Sequence, residues 1–178
     1  MKYISILRGI NVGGRRKILM ADLRALYKDL GFSNVATYIQ SGNVVFSTNQ
    51  KQEGLADKIS NQIFERFGFN LPVIIRTNEE LEKAIDNNPY LKLENVKIEN
   101  LCLTFLSDVP QANLLEKLKE ISYPPDQFQV IENNIFIYFS GKYSDTKLTN
   151  KFFEDKLKIS ATSRNWKTVN RLLELAKL

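Results

Sequence analysis

Residues 20–47 read MADLRALYKDLGFSNVATYIQSGNVVFS, and a change of apolar period inside them decides the fold. Met20, Leu23, Leu26 or Tyr27, and Leu30 recur at helical spacing on one face. Gly31 stands where a left-handed C′ residue ends such a helix, with Phe32 as the apolar contact that follows. Residues 35–40 and 43–47 are rich in β-branched and aromatic side chains and flank Ser41-Gly42, which suits a tight hairpin.

Working outward, residues 2–7 form an apolar strand, joined to the helix by a loop containing Gly9, Gly13 and Gly14. Downstream, Leu55, Ile59, Ile63 and Phe67 make a second helical stripe closed by Gly68, and residues 71–76 return as a strand. The order is βαββαβ. Leu30-Gly31-Phe32 and Phe67-Gly68-Phe69 are matching helix-to-strand exits. Thr77-Asn78-Glu79-Glu80 carries a capping-box pattern and predicts a connecting helix to about residue 87.

The pattern then starts again. Residues 101–106 predict a strand, 110–120 a helix, Pro124-Pro125 a break, and 128–131 and 135–139 a hairpin turning at Asn133-Asn134. Helices from about residue 149 to 157 and from about residue 164 complete the chain. This predicts an α+β fold of two related βαββα(β) ferredoxin-like units, with largely antiparallel sheets and helices on one face. Pro89 and the polar stretch to Asn100 place the lobe boundary, giving 1–88 and 89–178.

Composition bounds the chemistry. The 178 residues are 43% hydrophobic and 25% charged, as a globular chain should be. No apolar run approaches the roughly 18 residues that span a bilayer, so no membrane partner is expected. One cysteine, Cys102, excludes an internal disulfide and suits a reducing, cytoplasmic location. The chain has no histidine, which removes Ser-His-Asp and Cys-His arrangements and makes a zinc site unexpected. No metal and no cofactor are expected.

The net charge of +5 is uneven. Residues 1–28 hold seven Lys/Arg against one Asp, and residues 141–178 hold nine against four acids. Two basic ends around an acidic middle suggest an anionic partner, a small molecule or a nucleic acid. Scattered solvated lysines are the plainer explanation of the same charge.

Gly9-x₄-Gly14 has the glycine spacing of a phosphate loop, but Arg15-Arg16 stand where Lys-[Ser/Thr] belongs, so it is not a Walker motif. Backbone amides freed by Gly13 and Gly14, with the charge of Arg15, Arg16 and Lys17 beside them, still suit an anion. Alternatively the glycines only relax a tight connection. Ferredoxin-like topology puts the hairpin at the same end of the sheet as this loop, which makes Gln40, Ser41 and Asn43 its neighbours. At the other end of the chain, Ser163 is read as an N-cap with Arg164 and Asn165 in the first turn of the last helix. Trp166, Val169, Leu173 and Ala176 make that helix's apolar face, so Trp166 is a core anchor more readily than a stacking platform. Lys147 and Tyr143, in the polar loop 141–150, are the one acid/base pair that can be named.

Leu7-Arg8-Gly9-Ile10-Asn11-Val12-Gly13-Gly14, Gln40-Ser41-Gly42-Asn43 and Thr162-Ser163-Arg164-Asn165-Trp166 resemble the signatures of a widespread bacterial family, domain of unknown function 1697. The likeness runs nearly end to end and includes Met20-Ala21-Asp22-Leu23 and Lys147-Leu148-Thr149-Asn150. It implies the fold and the motif positions and supplies no mechanism. Ser163-Arg164 differs from the family's Thr-Arg and keeps the hydroxyl.

The residues thus point to a metal-independent module that binds a phosphate-bearing ligand, a nucleotide or nucleic acid. Loop 8–17 and the 162–168 helix start would hold it. Arg8, Asn11, Arg15, Gln40, Ser41 and Asn43 would form one wall, and Lys147, Arg164 and Asn165 another if the lobes fold together; Gly13, Gly14 and Trp166 complete the expected ligand-binding set. An enzyme acting on a small anionic metabolite through Lys147, and a structural or oligomeric role, stay open beside it.

Overall fold

The period changes read above are realised as two βαββαβ units. A computed structural model describes residues 1–178. Its first half runs β1 (Lys2–Leu7), α1 (Met20–Asp29), β2 (Ser33–Tyr38), β3 (Asn43–Ser47), α2 (Leu55–Phe67), β4 (Val73–Thr77) and α3 (Asn78–Asp86). The second runs β5 (Leu101–Leu106), α4 (Ala112–Lys119), β6 (Gln127–Ile131), β7 (Asn134–Tyr138), α5 (Asn150–Leu157), β8 (Ala161–Asn165) and α6 (Trp166–Lys177). The chain divides into one unit of Met1–Lys83 with Arg171–Leu178 and another of Ala84–Asn170.

Both sheets have four strands, all paired antiparallel, in the orders β2-β3-β1-β4 and β6-β7-β5-β8. The order repeats strand for strand, which is the ferredoxin-like arrangement twice over. In the first unit Tyr3, Leu7, Val44 and Phe46 turn toward α1 and α2 and bury with Leu23, Leu26, Ile59 and Ile63. In the second, Cys102, Leu106, Ile135 and Ile137 bury with Leu118, Phe153 and Leu157 from α4 and α5.

The punctuation behaves as its chemistry requires. Gly31 takes φ 82°, and the Gly31 and Phe32 amides donate to the Lys28 and Tyr27 carbonyls at 2.9 and 3.1 Å, a Schellman stop. Thr77 and Glu80 close the capping box in both directions, at 3.1 Å from the Glu80 amide to Thr77 Oγ1 and 2.8 Å from the Thr77 amide to Glu80 Oε2.

Four expectations are corrected. β2 ends at Tyr38, so the first hairpin turns over four residues, 39–42. Its closing group is Asn43, whose Nδ2 donates to the Tyr38 carbonyl at 3.1 Å and to Ser41 Oγ at 2.9 Å. The second hairpin turns at Glu132-Asn133, with Glu132 at φ 54° and Asn134 already paired in β7. β4 begins at Val73, after Pro72, which has no amide to give to a ladder.

The largest correction is β8. Residues 161–165 are a strand paired with β5, and the last helix starts at Trp166. Ser163 is therefore not an N-cap. Asn165 caps instead, its Oδ1 accepting from the Thr168 amide at 2.8 Å. The buried face of α6 is Trp166, Val169, Leu172 and Ala176, with Leu173 half-buried.

Candidate functional site

The connection from β1 to α1 takes twelve residues, 8–19, whereas the equivalent connection from β5 to α4 takes five, 107–111. The longer one carries Arg8, Arg15, Arg16 and Lys17 and no acid; the shorter one carries Asp108 and no cation. The two units therefore share a fold but not this loop.

Its conformation is set locally. The Arg15 amide donates to the Val12 carbonyl at 3.1 Å across Gly13 and Gly14, whose φ values of 57° and 73° make a type I′ turn. The Asn11 amide donates to the Arg16 carbonyl at 3.2 Å, so the loop is a miniature hairpin. The Arg16 guanidinium folds back over Gly9, 3.6 Å from where a Cβ would stand.

Asn11 fastens this hairpin to its surroundings. Its Nδ2 donates to the Ile18 carbonyl at 3.0 Å and the Gln40 carbonyl at 2.8 Å, while its Oδ1 accepts from the Ile18 amide at 2.9 Å. The expected proximity of loop 8–17 and the β2–β3 turn is thus a direct bond. Gly42 completes the junction: its carbonyl accepts from the Leu7 amide at 2.8 Å.

The predicted wall of the first unit separates into two groups. Asn11, Gly13, Gly14 and Asn43 build the loops; Asn43 is fully buried and spent on its own turn. Arg15, Arg16, Lys17 and Gln40 are exposed, and Arg8 and Ser41 are half-buried. A cavity of about 540 Å³ opens here, lined by Gly14, Lys17, Leu19, Asp22, Gln40 and Phe67 among others. Asp22 lies in the first turn of α1, where a carboxylate complements the helix dipole.

The other predicted residues lie in the second unit. Arg164 sits in β8, where its Nη1 donates to Thr162 Oγ1 at 3.0 Å and the Ser163 carbonyl at 2.8 Å. Arg76 donates from Nη1 to the Ile75 carbonyl at 2.9 Å at the matching place in β4. The arginine before each strand-to-helix junction is thus a repeated feature of the fold. Trp166 is buried and Asn165 is the cap, so the third motif is architecture at its centre. Lys147 is exposed with its Nζ 5.3 Å from the Tyr123 ring centre, whereas Tyr143 stacks edge-on against Phe139.

A larger cleft of about 720 Å³ runs along β6, bounded by Tyr90, Tyr123, Pro124, Pro125, Gln127 and Gln129. Asp126 shapes it, accepting from the Ser140 amide at 2.9 Å and from the Thr146 hydroxyl. Sequence reasoning read Pro124-Pro125 only as a break. No group of three or more His, Cys, Asp or Glu side chains able to hold a metal is present.

Cys102 donates to the Arg164 carbonyl at 3.1 Å, and burial pushes its thiol up from 9.0 to about 12. A raised folded value stabilises the native state fully below the unfolded one and ceases to do so as pH climbs through the folded one. That contribution should therefore fade between pH 9 and about 12. At pH 8 a thiol reagent should label Cys102 only as fast as the protein unfolds; rapid labelling of the native chain would contradict the burial.

A family model described as "Protein of unknown function (DUF1697)" matches residues 1–136, which include the loop, the first hairpin and the cleft strand β6. The chain belongs to this family. A DUF1697 assignment agrees with the resemblance drawn from the motifs and leaves the activity to be argued from the site. A conserved bacterial protein from Streptococcus pneumoniae is similar in structure, with a TM-score of 0.77, 23% identity and 98% of each chain covered. At that identity the likeness speaks to the fold alone. No curated protein matches the chain.

Proposed function

We propose that the first unit is a metal-independent module that binds a phosphate-bearing ligand where loop 8–17 meets the β2–β3 turn. The observation that carries this reading is the asymmetry of the duplicated fold. Five residues suffice to join β5 to α4, yet twelve join β1 to α1, with four cations and no acid among them. A connection longer than the fold needs, carrying charge of one sign, is better explained by a ligand than by packing. Arg15, Arg16 and Lys17 supply the countercharge, so no metal is required, and Gln40 and Ser41 offer neutral hydrogen-bonding groups beside them.

Residues 162–168 supply a strand-to-helix junction in place of the helix start expected of them, so the reading rests on loop 8–17. Nucleotides and short oligonucleotides are the ligands to try first. In a calorimetric titration at low salt, the triple variant Arg15→Gln, Arg16→Gln, Lys17→Gln should bind at least roughly tenfold more weakly, since one charge-assisted bond contributes about 1.5–3 kcal/mol. An oligonucleotide should show a steep loss of affinity with salt and a mononucleotide a shallow one. Binding that survives the triple variant unchanged would remove the loop from the site.

A further inference from the structure

Three exposed aliphatic side chains stand at the same end of the first unit as the basic loop, two of them where local physics favours another residue type. Val12 is 65% exposed, Leu19 70% and Ile39 49%. Leu19 holds the N-cap position of α1, where Ser, Thr, Asp or Asn would accept a first-turn amide, and it makes no such bond. Ile39 holds φ 49°, a left-handed conformation that a β-branched residue rarely adopts and that Gly or Asn fills easily. Val12 opens the type I′ turn with its side chain in solvent. Asn11 ties the three together: it precedes Val12 and bonds to Ile18 and Gln40, the chain neighbours of Leu19 and Ile39. Arg15, Arg16 and Lys17 lie between them along the chain, all exposed. Two broken local preferences and a third exposed aliphatic side chain thus gather at the end of the unit that also carries Arg15, Arg16 and Lys17.

We infer that this end of the first unit docks on an anionic phospholipid surface. Arg15, Arg16 and Lys17 meet the headgroup phosphates, and Val12, Leu19 and Ile39 enter the acyl boundary. The inference rests on the phosphate reading above and names the source of the phosphate. Charge complementarity holds for nucleic acid as well, but bases reward aromatic or guanidinium stacking, which aliphatic tips cannot give. Hydrocarbon rewards aliphatic side chains framed by cations. No helix of the chain is long and apolar enough to cross a membrane, and a surface contact needs none. The inference departs from the expectation of no membrane partner, which rests on the lack of a spanning apolar run.

The test sediments the full chain with vesicles of mixed phosphatidylglycerol and phosphatidylcholine and with vesicles of phosphatidylcholine alone. Binding should require the anionic lipid and weaken with salt. The Arg15→Gln, Arg16→Gln, Lys17→Gln variant should lose roughly 100-fold, at about fivefold for each cation near an anionic surface. The variant Val12→Ser, Leu19→Ser, Ile39→Asn keeps every charge and should lose roughly tenfold or more through its apolar contacts. Two of those substitutions install the locally favoured residue, so a thermal melt should show this variant no less stable than the parent. Indifference to anionic vesicles, or a tip variant that binds them as the parent does, would overturn the inference. Inorganic phosphate and a single-stranded oligonucleotide run in parallel separate the outcomes. If phosphate or nucleotide saturates the loop while vesicles are ignored, the lipid source falls and the phosphate reading stands. If vesicles, phosphate and oligonucleotide all fail to bind, both fall; oligonucleotide binding that is lost in the tip variant while vesicles are ignored decides for nucleic acid.

Discussion

Gly42→Ala should lower the melting temperature by roughly 5–15 °C, although it adds only one methyl group. A Cβ at this position would lie 2.7 Å from Leu7 Cβ and 2.9 Å from Ile10 Cδ1, inside any real contact distance, and φ is +79°. Relief requires β1 and the β2–β3 turn to separate, and the 2.8 Å bond from the Leu7 amide to the Gly42 carbonyl holds them together. Overpacking of this kind costs about 1–3 kcal/mol and the left-handed backbone adds about 1 more. Gly13→Ala is the matched control. It shares the positive φ but meets nothing within 4 Å, so it should cost only the conformational part. A thermal melt of the two variants separates steric from conformational loss. Equal shifts would mean that the close approach at Gly42 is not there.

Phe46→Ala should cost about 3–5 kcal/mol, the usual penalty for truncating a buried aromatic. Phe46 is fully buried in β3, and its ring lies 4.6 Å from that of Phe32, 5.3 Å from Tyr27 and 5.8 Å from Tyr3. These rings come from β1, α1, the α1–β2 exit and β3, so one side chain joins three elements and a connection of the unit. The cavity left behind cannot collapse without moving at least one of them. Phe64→Ala, on the outer face of α2 and 49% exposed, should change stability by no more than about 0.5 kcal/mol. Chemical denaturation of both variants reads the difference as a shift in midpoint.

What could be read from the chain alone follows from where side chains must agree with backbone. Gly31 and Gly68 were legible because both helices end on left-handed glycines, at φ 82° and 78°. The neighbourhood of the loop and the hairpin was legible because strand order alone puts them at one end. β8 was missed because nothing in Thr162-Ser163-Arg164 alternates in polarity. Its inward hydroxyl is satisfied inside the unit, Ser163 Oγ lying 2.6 Å from both Thr104 Oγ1 and Asn150 Oδ1. A strand whose inner face is polar and internally bonded looks like a loop or a cap. The second hairpin shifted by one residue because Glu132 takes the positive φ that Asn133 and Asn134 accept more readily. At the site, Asn11 and Asn43 looked like ligand groups because an asparagine that pins a loop and one that binds a guest have the same donors and acceptors. Only the bonds to Ile18, Gln40, Tyr38 and Ser41 tell them apart.

The phosphate site at loop 8–17 is tested most directly residue by residue, with backbone amide spectra of the labelled full chain recorded during titration. Inorganic phosphate, a nucleoside diphosphate and a short oligonucleotide are added in turn at low salt. The account predicts saturable shifts at the amides of residues 13–21 and 40–42 for at least one of them. Those shifts should vanish in the Arg15→Gln, Arg16→Gln, Lys17→Gln variant while the rest of the spectrum is unchanged. Spectra that stay still at these positions under every ligand, or that move only around residues 162–168, would contradict it.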